Sequence, residues 1–192
     1  MTASSRWRLF LTGIVLWVSL VAGSVHGAGR PDSGIWVRVD TVAEIVELWR
    51  GDERLRTFPD IALGRGGVSD LHLNGDQTTP RGTYRVTHFN DDSRFHRFIG
   101  LNYPTLDHLG QAYRVGALSI DTYRITLDAG LASGRFPQDG PLGGHIGLHG
   151  IGDGDPAVHR AFHWTEGCVA LTNEQIEALR RRVQIGTPVV IE

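Results

Sequence analysis

Two stretches of the sequence are the most informative: GGHIGLHG at residues 143–150 and WTEGCVALTN at residues 164–173. In the first stretch, His145, Gly147 and His149 occupy every second position. This alternation is typical of a short strand, in which alternate side chains share one face. It ends near His149, and the second stretch carries the chain's single cysteine, Cys168, directly after a glycine. Because glycine permits a tight turn and a close approach to the backbone, the two stretches predict a chemically active centre near the end of the strand.

Cys168 and His149 are a candidate nucleophile and a candidate base. A thiol nucleophile needs a base to ionise it and backbone N–H groups to hold an oxyanion, and His149 lies 19 positions before Cys168. Since a neighbouring imidazolium lowers the pKa of a cysteine, we expect Cys168 to be more ionised at neutral pH than a free thiol. The carbonyl of Gly150, or a nearby hydroxyl, would orient the second ring nitrogen of His149.

Two other interpretations of these residues stay open from spacing alone. In the first, Cys168 is an inert buried thiol and His149 is a core histidine whose hydrogen bonds are satisfied. In the second, His159 and His163, which are four residues apart, share one face of a helix and bind a metal ion with Cys168. That ligand set is incomplete against the known zinc patterns, and we therefore expect no metal site.

The composition excludes several classes of function. The chain has 192 residues, which is typical of a single domain, and a formal net charge of −2. This charge argues against a strongly basic nucleic-acid-binding protein, so we expect no nucleic-acid partner. All 19 basic residues are arginine, which excludes lysine Schiff-base chemistry and a P-loop. The single cysteine excludes an internal disulfide.

The N-terminal segment has the pattern of a secretory signal peptide. Arg6 and Arg8 precede an apolar run at residues 9–25 that carries no charge, and small residues follow. We therefore expect a signal peptide at residues 1–27 that is removed on export. The alternative is an uncleaved N-terminal membrane anchor, because the run is at the short limit of what spans a bilayer. In either case residues 28–192 are expected to be exported.

The remaining chain is rich in strand signals. Apolar and polar residues alternate over residues 35–40, which predicts a half-buried strand. Residues 44–49 and 54–58 flank a glycine-containing turn, which predicts a hairpin. The competing interpretation is a helix that begins at Thr41, because Thr41 and Glu44 have the spacing of a capping box. Further strands are expected at residues 83–89 and at the C-terminus of the chain.

Helical signals are confined to two regions. Residues 105–135 have helical spacing with Leu131 among the positions of its apolar side, and we expect a helical insertion there that forms a lid over a site. A closing helix is expected after Cys168, where Thr172 and Gln175 have the spacing of a capping box. Strands with segregated helices predict a mainly β or α+β fold.

The residues around His149 and Cys168 resemble the signature of a known family. A His-Gly pair followed by Thr-x-Gly-Cys, as at His149 and Cys168, is similar to the signature of the YkuD-type L,D-transpeptidases. The resemblance covers residues 35–192. Its further motifs, in the family's order, are TP-x-G-x-Y at residues 79–84, NYP at residues 102–104, PLGG-x-I-x-LHG at residues 141–150 and WTEGCVALTN at residues 164–173.

The resemblance implies a β-sandwich-like catalytic domain over residues 28–192 that acts in the periplasm on diaminopimelate-containing stem peptides of peptidoglycan. By position, Cys168 is the nucleophile, His149 is the base, and the Gly150 carbonyl orients that base. The amides of Gly167 and Cys168 are candidate donors to the oxyanion. No metal and no organic cofactor is implied. A thioester acyl-enzyme fits the pairing of a thiol with an imidazole.

Two positions depart from the pattern of many transpeptidases. Glu166 stands where His or Arg is common, and its charge would raise the pKa of the thiol. Ala170 stands where an arginine would clamp a substrate carboxylate. The sequence around Cys168 instead resembles the YafK-like branch, some members of which release an outer-membrane lipoprotein from peptidoglycan. A lipoprotein is therefore a possible partner.

Three residues are candidates for substrate binding. Thr165 and Glu166 precede the nucleophile, and Arg135 lies in the expected lid, where it would meet a stem-peptide carboxylate. The alternative for Arg135 is an ordinary solvated surface arginine. The functional hypotheses are an L,D-transpeptidase, an L,D-hydrolase of the same fold acting as a carboxypeptidase or lipoprotein-releasing amidase, and a catalytically silent cell-wall-binding protein. A metallohydrolase that uses His159 and His163 is the remaining alternative.

Overall fold

The computed structural model describes residues 34–192. The expected signal peptide at residues 1–27 lies outside the described residues. Among the described residues, no helix has both the length and the apolar character needed to cross a membrane.

A mixed eight-stranded sheet forms the body of the described chain, in the order β3-β2-β1-β10-β6-β7-β8-β9, and β4 and β5 form a separate parallel pair. The observed fold is α+β, as predicted. The strands are β1 Ile35–Asp40, β2 Ile45–Arg50, β3 Glu53–Phe58, β4 Val68–Ser69, β5 Thr79–Pro80, β6 Gly82–Ser93, β7 His96–Leu101, β8 Gly147–His149, β9 Val169–Ala170 and β10 Pro188–Ile191. The helices are α1 Leu106–Arg114, α2 Ile120–Ser133, α3 Pro156–Ala161 and α4 Asn173–Arg180.

The hairpin of β2 and β3 is confirmed, and the competing helix from Thr41 is wrong. The carboxylate of Asp40 accepts hydrogen bonds from the amides of Val42 and Ala43. These bonds close a turn instead of the first turn of a helix. Glu44 then adopts a positive φ of 54°, which ends the turn and lets β2 run antiparallel to β1.

The long strand β6 holds the two parts of the sheet together. Its first residues pair with β10, which lies parallel to β1, and its later residues pair with β7. Tyr84 and Val86 of β6 are buried in the main apolar core, with Ile99 of β7 and Leu148 of β8. The predicted strand at residues 83–89 is therefore confirmed and extends further, because the β6–β7 hairpin continues its pairing to Ser93.

The helical insertion is confirmed as α1 and α2. Ser119 caps the start of α2 by accepting from the amide of Thr122, and Gly134 ends it in the left-handed conformation. The assignment of Leu131 to the apolar side is wrong, since its side chain is 70% exposed. The buried position of α2 is Gly130 instead, which packs so closely against the ring of Phe136 that an added Cβ would collide with it.

The closing helix α4 is confirmed with its capping box. Thr172 accepts from the amide of Gln175, and the side chain of Gln175 accepts from the amide of Thr172. Asn173 at the start of α4 bonds both the amide and the carbonyl of Gly152. The helix therefore fixes the loop that follows β8, and with it the residue that ends β8.

Candidate active site

A cleft of about 720 Å³ lies at the ends of β8 and β9 and is lined by both His149 and Cys168. The two strands are parallel, with Leu148 opposite Val169. Extending that register by one residue places Cys168 level with Gly147. Because alternate residues of a strand share a face, Cys168 and His149 project to the same side of the sheet. The sheet thus brings the two predicted residues into one cleft.

His149 is a buried imidazole held in one orientation. It is 2% exposed, and its Nδ1 donates a hydrogen bond of 2.7 Å to the carbonyl of Gly150. Phe95 stacks on the ring at a centroid distance of 4.2 Å, and Trp164 meets it edge-on. Burial lowers the pKa of His149 to about 4, so the ring is neutral at neutral pH, with Nε2 as the basic nitrogen.

Cys168 is a neutral thiol in this structure. Its Sγ donates to the carbonyl of His145 at 3.4 Å, and burial, together with the charge of Glu166, raises its pKa to about 11. The expectation that Cys168 is more ionised than a free thiol is therefore wrong. The physical reason is that the partly buried sulfur lies against the carbonyl of His145 while His149 carries no proton on Nε2.

Thr165 and Gly167 shape the turn that presents the nucleophile. The buried hydroxyl of Thr165 donates to the carbonyl of Cys168 at 2.7 Å and accepts from the amide of Gly167 at 3.2 Å. Gly167 has a φ of 126°, and an added Cβ would lie 2.7 Å from the carbonyl oxygen of Thr78. The Gly167 amide is thus engaged within the turn, whereas the Cys168 amide donates to no acceptor among residues 34–192.

Of the other two candidate binding residues, Glu166 lines the cleft and Arg135 does not. Glu166 is exposed at the mouth of the cleft, where its carboxylate pairs with Arg65 at 3.3 Å. Arg135 is exposed, and it is not one of the described residues that line the cleft. The expected lid also differs, because the cleft wall comes from residues 138–146, which follow the insertion, and not from α1 or α2.

Arg94 and Phe95, in the β6–β7 hairpin, are among the cleft residues that sequence reasoning missed. The guanidinium of Arg94 lies 4.6 Å from the ring centroid of Phe95, the ring that stacks on His149. No carboxylate within residues 34–192 forms an ion pair with Arg94. The stretch DSRF has no motif that marks it, and only the pairing of β7 with β8 brings it to the site.

The alternative metal ligand set is not assembled. Nδ1 of His159 accepts from the indole of Trp164 at 3.3 Å, and Nδ1 of His163 accepts from the amide of Leu63 at 3.2 Å. His163 lies beyond the end of α3, so the two histidines share no helix face. In the part of the chain that the structure describes, no group of three or more His, Cys, Asp or Glu side chains could hold a metal ion.

The known structures most useful for comparison share this fold at low identity. Bd1075 of Bdellovibrio bacteriovorus is 18% identical, with a TM-score of 0.54 over 85% of this chain and 50% of that chain. The helical cell shape determining protein Pgp2 of Campylobacter jejuni is 21% identical, with a TM-score of 0.56 over 86% and 52%. An L,D-transpeptidase of Xylanimonas cellulosilytica is 18% identical, with a TM-score of 0.50 over 85% and 62%. The chain thus spans about half to three-fifths of these structures.

Sequence comparison assigns the family. A search of curated proteins gives no match. The family model of the L,D-transpeptidase catalytic domain, YkuD, matches residues 34–191, which is nearly the whole described chain. That stretch includes the β8–β9 cleft with Cys168 and His149. The chain therefore belongs to the YkuD family of L,D-transpeptidase catalytic domains.

Proposed function

We propose that the protein is a periplasmic cysteine acyltransferase, an L,D-transpeptidase that acts on peptidoglycan stem peptides. The observation that carries this proposal is that one cleft is lined by both Cys168 and a neutral His149 whose Nδ1 is bound to Gly150. A thiol and a correctly oriented neutral imidazole are the two groups that a two-step acyl transfer needs. Export through a signal peptide at residues 1–27 would bring the enzyme to its substrate.

In the first half-reaction, the sulfur of Cys168 attacks the carbonyl carbon on the L-centre of diaminopimelate. Nε2 of His149 takes the thiol proton as the C–S bond forms. Because both groups are neutral at rest, we place this proton transfer in the same step as the attack. The Cys168 amide holds the developing oxyanion. His149 then gives the proton to the amine of the departing D-alanine, which leaves a thioester.

Arg94 is the cleft cation that we assign to a substrate carboxylate. The other cleft arginine, Arg65, is neutralised by Glu166, whereas Arg94 has no acidic partner in the described chain. Stem peptides end in a carboxylate, and guanidinium groups bind carboxylates with directed hydrogen bonds. Arg135 stays a prediction for the same role, as a group that would reach the substrate from outside the cleft wall.

The second candidate is an L,D-hydrolase of the same fold, and Ala170 favours it. Ala170 is buried, and its amide and carbonyl both bond to Ala62 in an isolated antiparallel bridge beside β9. The methyl side chain of Ala170 cannot bind a substrate carboxylate, whereas an arginine at this position could. Membership of the YafK-like branch and action on a lipoprotein linkage belong to this second candidate.

The products distinguish the two candidates. The purified protein and its Cys168→Ala variant are incubated with tetrapeptide muropeptides and with lipoprotein-linked muropeptides, and mass spectrometry follows the products. Cross-linked or D-amino-acid-exchanged products from the unaltered protein alone support the transpeptidase. Release of D-alanine or of the lipoprotein fragment with uptake of water supports the hydrolase. Neither product, combined with the absence of any acyl-enzyme on Cys168, would favour a silent cell-wall-binding protein.

A further inference from the structure

A second histidine, His72, opens into the same cleft. It follows the strand β4 in a polar loop and is 4% exposed, yet it lines the cleft together with Cys168 and His149. Neither the candidate nucleophile–base pair nor the metal alternative includes it. A buried imidazole that contacts a reaction cleft has either a structural role or a chemical one. The hydrogen bonds of its two ring nitrogens show which role it has.

The first ring nitrogen of His72 is bound by two acceptors of its own loop. Its Nδ1 lies 2.8 Å from the carboxylate of Asp76 and 2.8 Å from the carbonyl of Thr78. Both partners are acceptors, so Nδ1 carries the proton and Nε2 is the acceptor nitrogen. Asp76 is itself fixed, because it accepts from the amides of Leu73 and Thr78. Asp76 and His72 thus form an oriented pair.

The second ring nitrogen of His72 has no hydrogen-bond partner among residues 34–192. Its surroundings are two glycines of the cleft. A Cβ on Gly143 would lie 2.8 Å from Nε2, and a Cβ on Gly167 would lie 3.3 Å from Cε1 of the ring. Because neither position carries a side chain, this edge of the ring packs against the two glycine backbones and still borders the cleft. Gly167 is bonded to Cys168, so this edge lies beside the turn that carries the nucleophile.

We propose that Nε2 of His72, supported by Asp76, is the proton acceptor for the incoming nucleophile in the second half-reaction. This inference rests on the proposed acyl transfer through Cys168. His149 is held against Phe95 and Trp164, whereas His72 reaches the cleft from the side of Gly143 and Gly167. The two imidazoles would therefore serve the two halves of the reaction from different walls. The other cleft histidine, His145, is exposed and pairs with Asp139.

The step balances without any further reactant. The nitrogen of an amine, or the oxygen of water, attacks the thioester carbonyl, and Nε2 of His72 takes the proton that this atom loses. The new C–N or C–O bond forms while the C–S bond breaks, and Cys168 leaves as a thiolate. The thiolate regains one proton from solvent as His72 releases one, so the thiol and the imidazole both return to their starting forms.

The test separates acylation from deacylation with two substitutions of His72. Asn at this position keeps an N–H group that can bond Asp76, and Gln keeps an amide group near the place of Nε2, but neither takes up a proton. Intact-mass spectrometry of the purified protein follows the formation of the acyl-enzyme from a tetrapeptide donor. It then follows the decay of that species after D-leucine is added as acceptor.

We expect His72→Asn and His72→Gln to acylate within about threefold of the unaltered protein and to deacylate about 100-fold more slowly. The matched control is His108→Asn, a buried histidine outside the cleft whose nitrogens bond Thr105 and Tyr84. It should lower thermal stability and leave the ratio of the two rates unchanged. Equal slowing of both steps, or unchanged decay in either variant, would overturn the role of His72. Failure of the unaltered protein to acylate would instead overturn the proposed function itself.

Discussion

At the scale of single residues, burial has opposite effects on the two groups of the candidate dyad. It raises the pKa of the Cys168 thiol to about 11 and lowers that of the His149 imidazole to about 4. Both effects favour the neutral forms, so the thiolate–imidazolium pair is disfavoured at rest. This arrangement protects the thiol from oxidation, since the thiolate is the reactive form. It also requires the substrate to trigger the proton transfer.

Arg94 provides a prediction at this scale. If it binds the terminal carboxylate of the donor peptide, Arg94→Gln should lower kcat/KM for that peptide by about 10- to 100-fold, the cost of one or two charged hydrogen bonds. The same substitution should have little effect on a donor whose terminal carboxylate is replaced by a carboxamide. Steady-state rates with both donors measure the difference.

The matched control for Arg94 is Arg56→Gln. The guanidinium of Arg56 lies 4.9 Å from the ring centroid of Phe58, a packing similar to that of Arg94 on Phe95, but Arg56 belongs to the edge strand β3 and does not line the cleft. It should leave both donors unaffected. An equal loss for the acid and the carboxamide with Arg94→Gln would show that this arginine does not recognise the carboxylate.

At the scale of elements, the turn of residues 165–168 depends on one hydroxyl. Thr165→Val removes the bonds to the Cys168 carbonyl and to the Gly167 amide and leaves two polar groups without their partner. We expect a loss of about 1–3 kcal/mol in the free energy of unfolding and at least a tenfold fall in the acylation rate. Thr165→Ser keeps the hydroxyl and should restore most of both, as measured by urea unfolding and intact-mass kinetics.

Two outcomes would count against this account of the turn. Acylation at the normal rate by the Thr165→Val variant would contradict the role of the turn in presenting Cys168. If the Thr165→Ser variant, which keeps the hydroxyl, is as impaired as the Thr165→Val variant, the hydroxyl does not account for the loss. The unfolding measurement keeps a loss of activity from being confused with a loss of the folded state.

The elements that sequence reasoning predicted correctly are those with local signals. The capping box of Thr172 and Gln175 marks α4, and the alternation of residues 35–40 marks β1. The competing helix from Thr41 also had a local signal, but the short-range bonds of Asp40 override it. Arg94 and His72 were missed because neither carries a motif. Their roles depend on pairing between β6, β7 and β8 and on the loop bonds of Asp76, which are formed only in the tertiary structure.

At the scale of the whole molecule, buried histidines link stability to pH. The pKa of His149 in the folded protein, about 4, lies below its ordinary value of 6.5. Between these values the unfolded chain binds more protons than the folded one, so stability is present above pH 6.5 and is lost as the pH falls towards 4. The shift corresponds to about 3 kcal/mol. Burial also lowers the pKa of His108 and His159, so these two histidines add to the loss of stability as the pH falls.

We therefore expect the unaltered protein to lose about 3 kcal/mol more stability between pH 7 and pH 4 than His149→Gln, which cannot titrate. Urea unfolding at both pH values measures the two differences, and comparing the two proteins cancels the contributions of the remaining groups. An identical pH dependence in both proteins would show that His149 is not held neutral by burial.

Acyl transfer through Cys168 is tested by the intact mass of the protein after brief exposure to a tetrapeptide donor and acid quenching. We predict an added mass equal to the donor without its terminal D-alanine, located on Cys168 by peptide mapping. The adduct should be absent in Cys168→Ala and reduced at least 100-fold in His149→Gln, which stays folded. Product formation by Cys168→Ala, or turnover of the donor by His149→Gln at the normal rate, would contradict an acyl transfer that proceeds through Cys168 with His149 as its base.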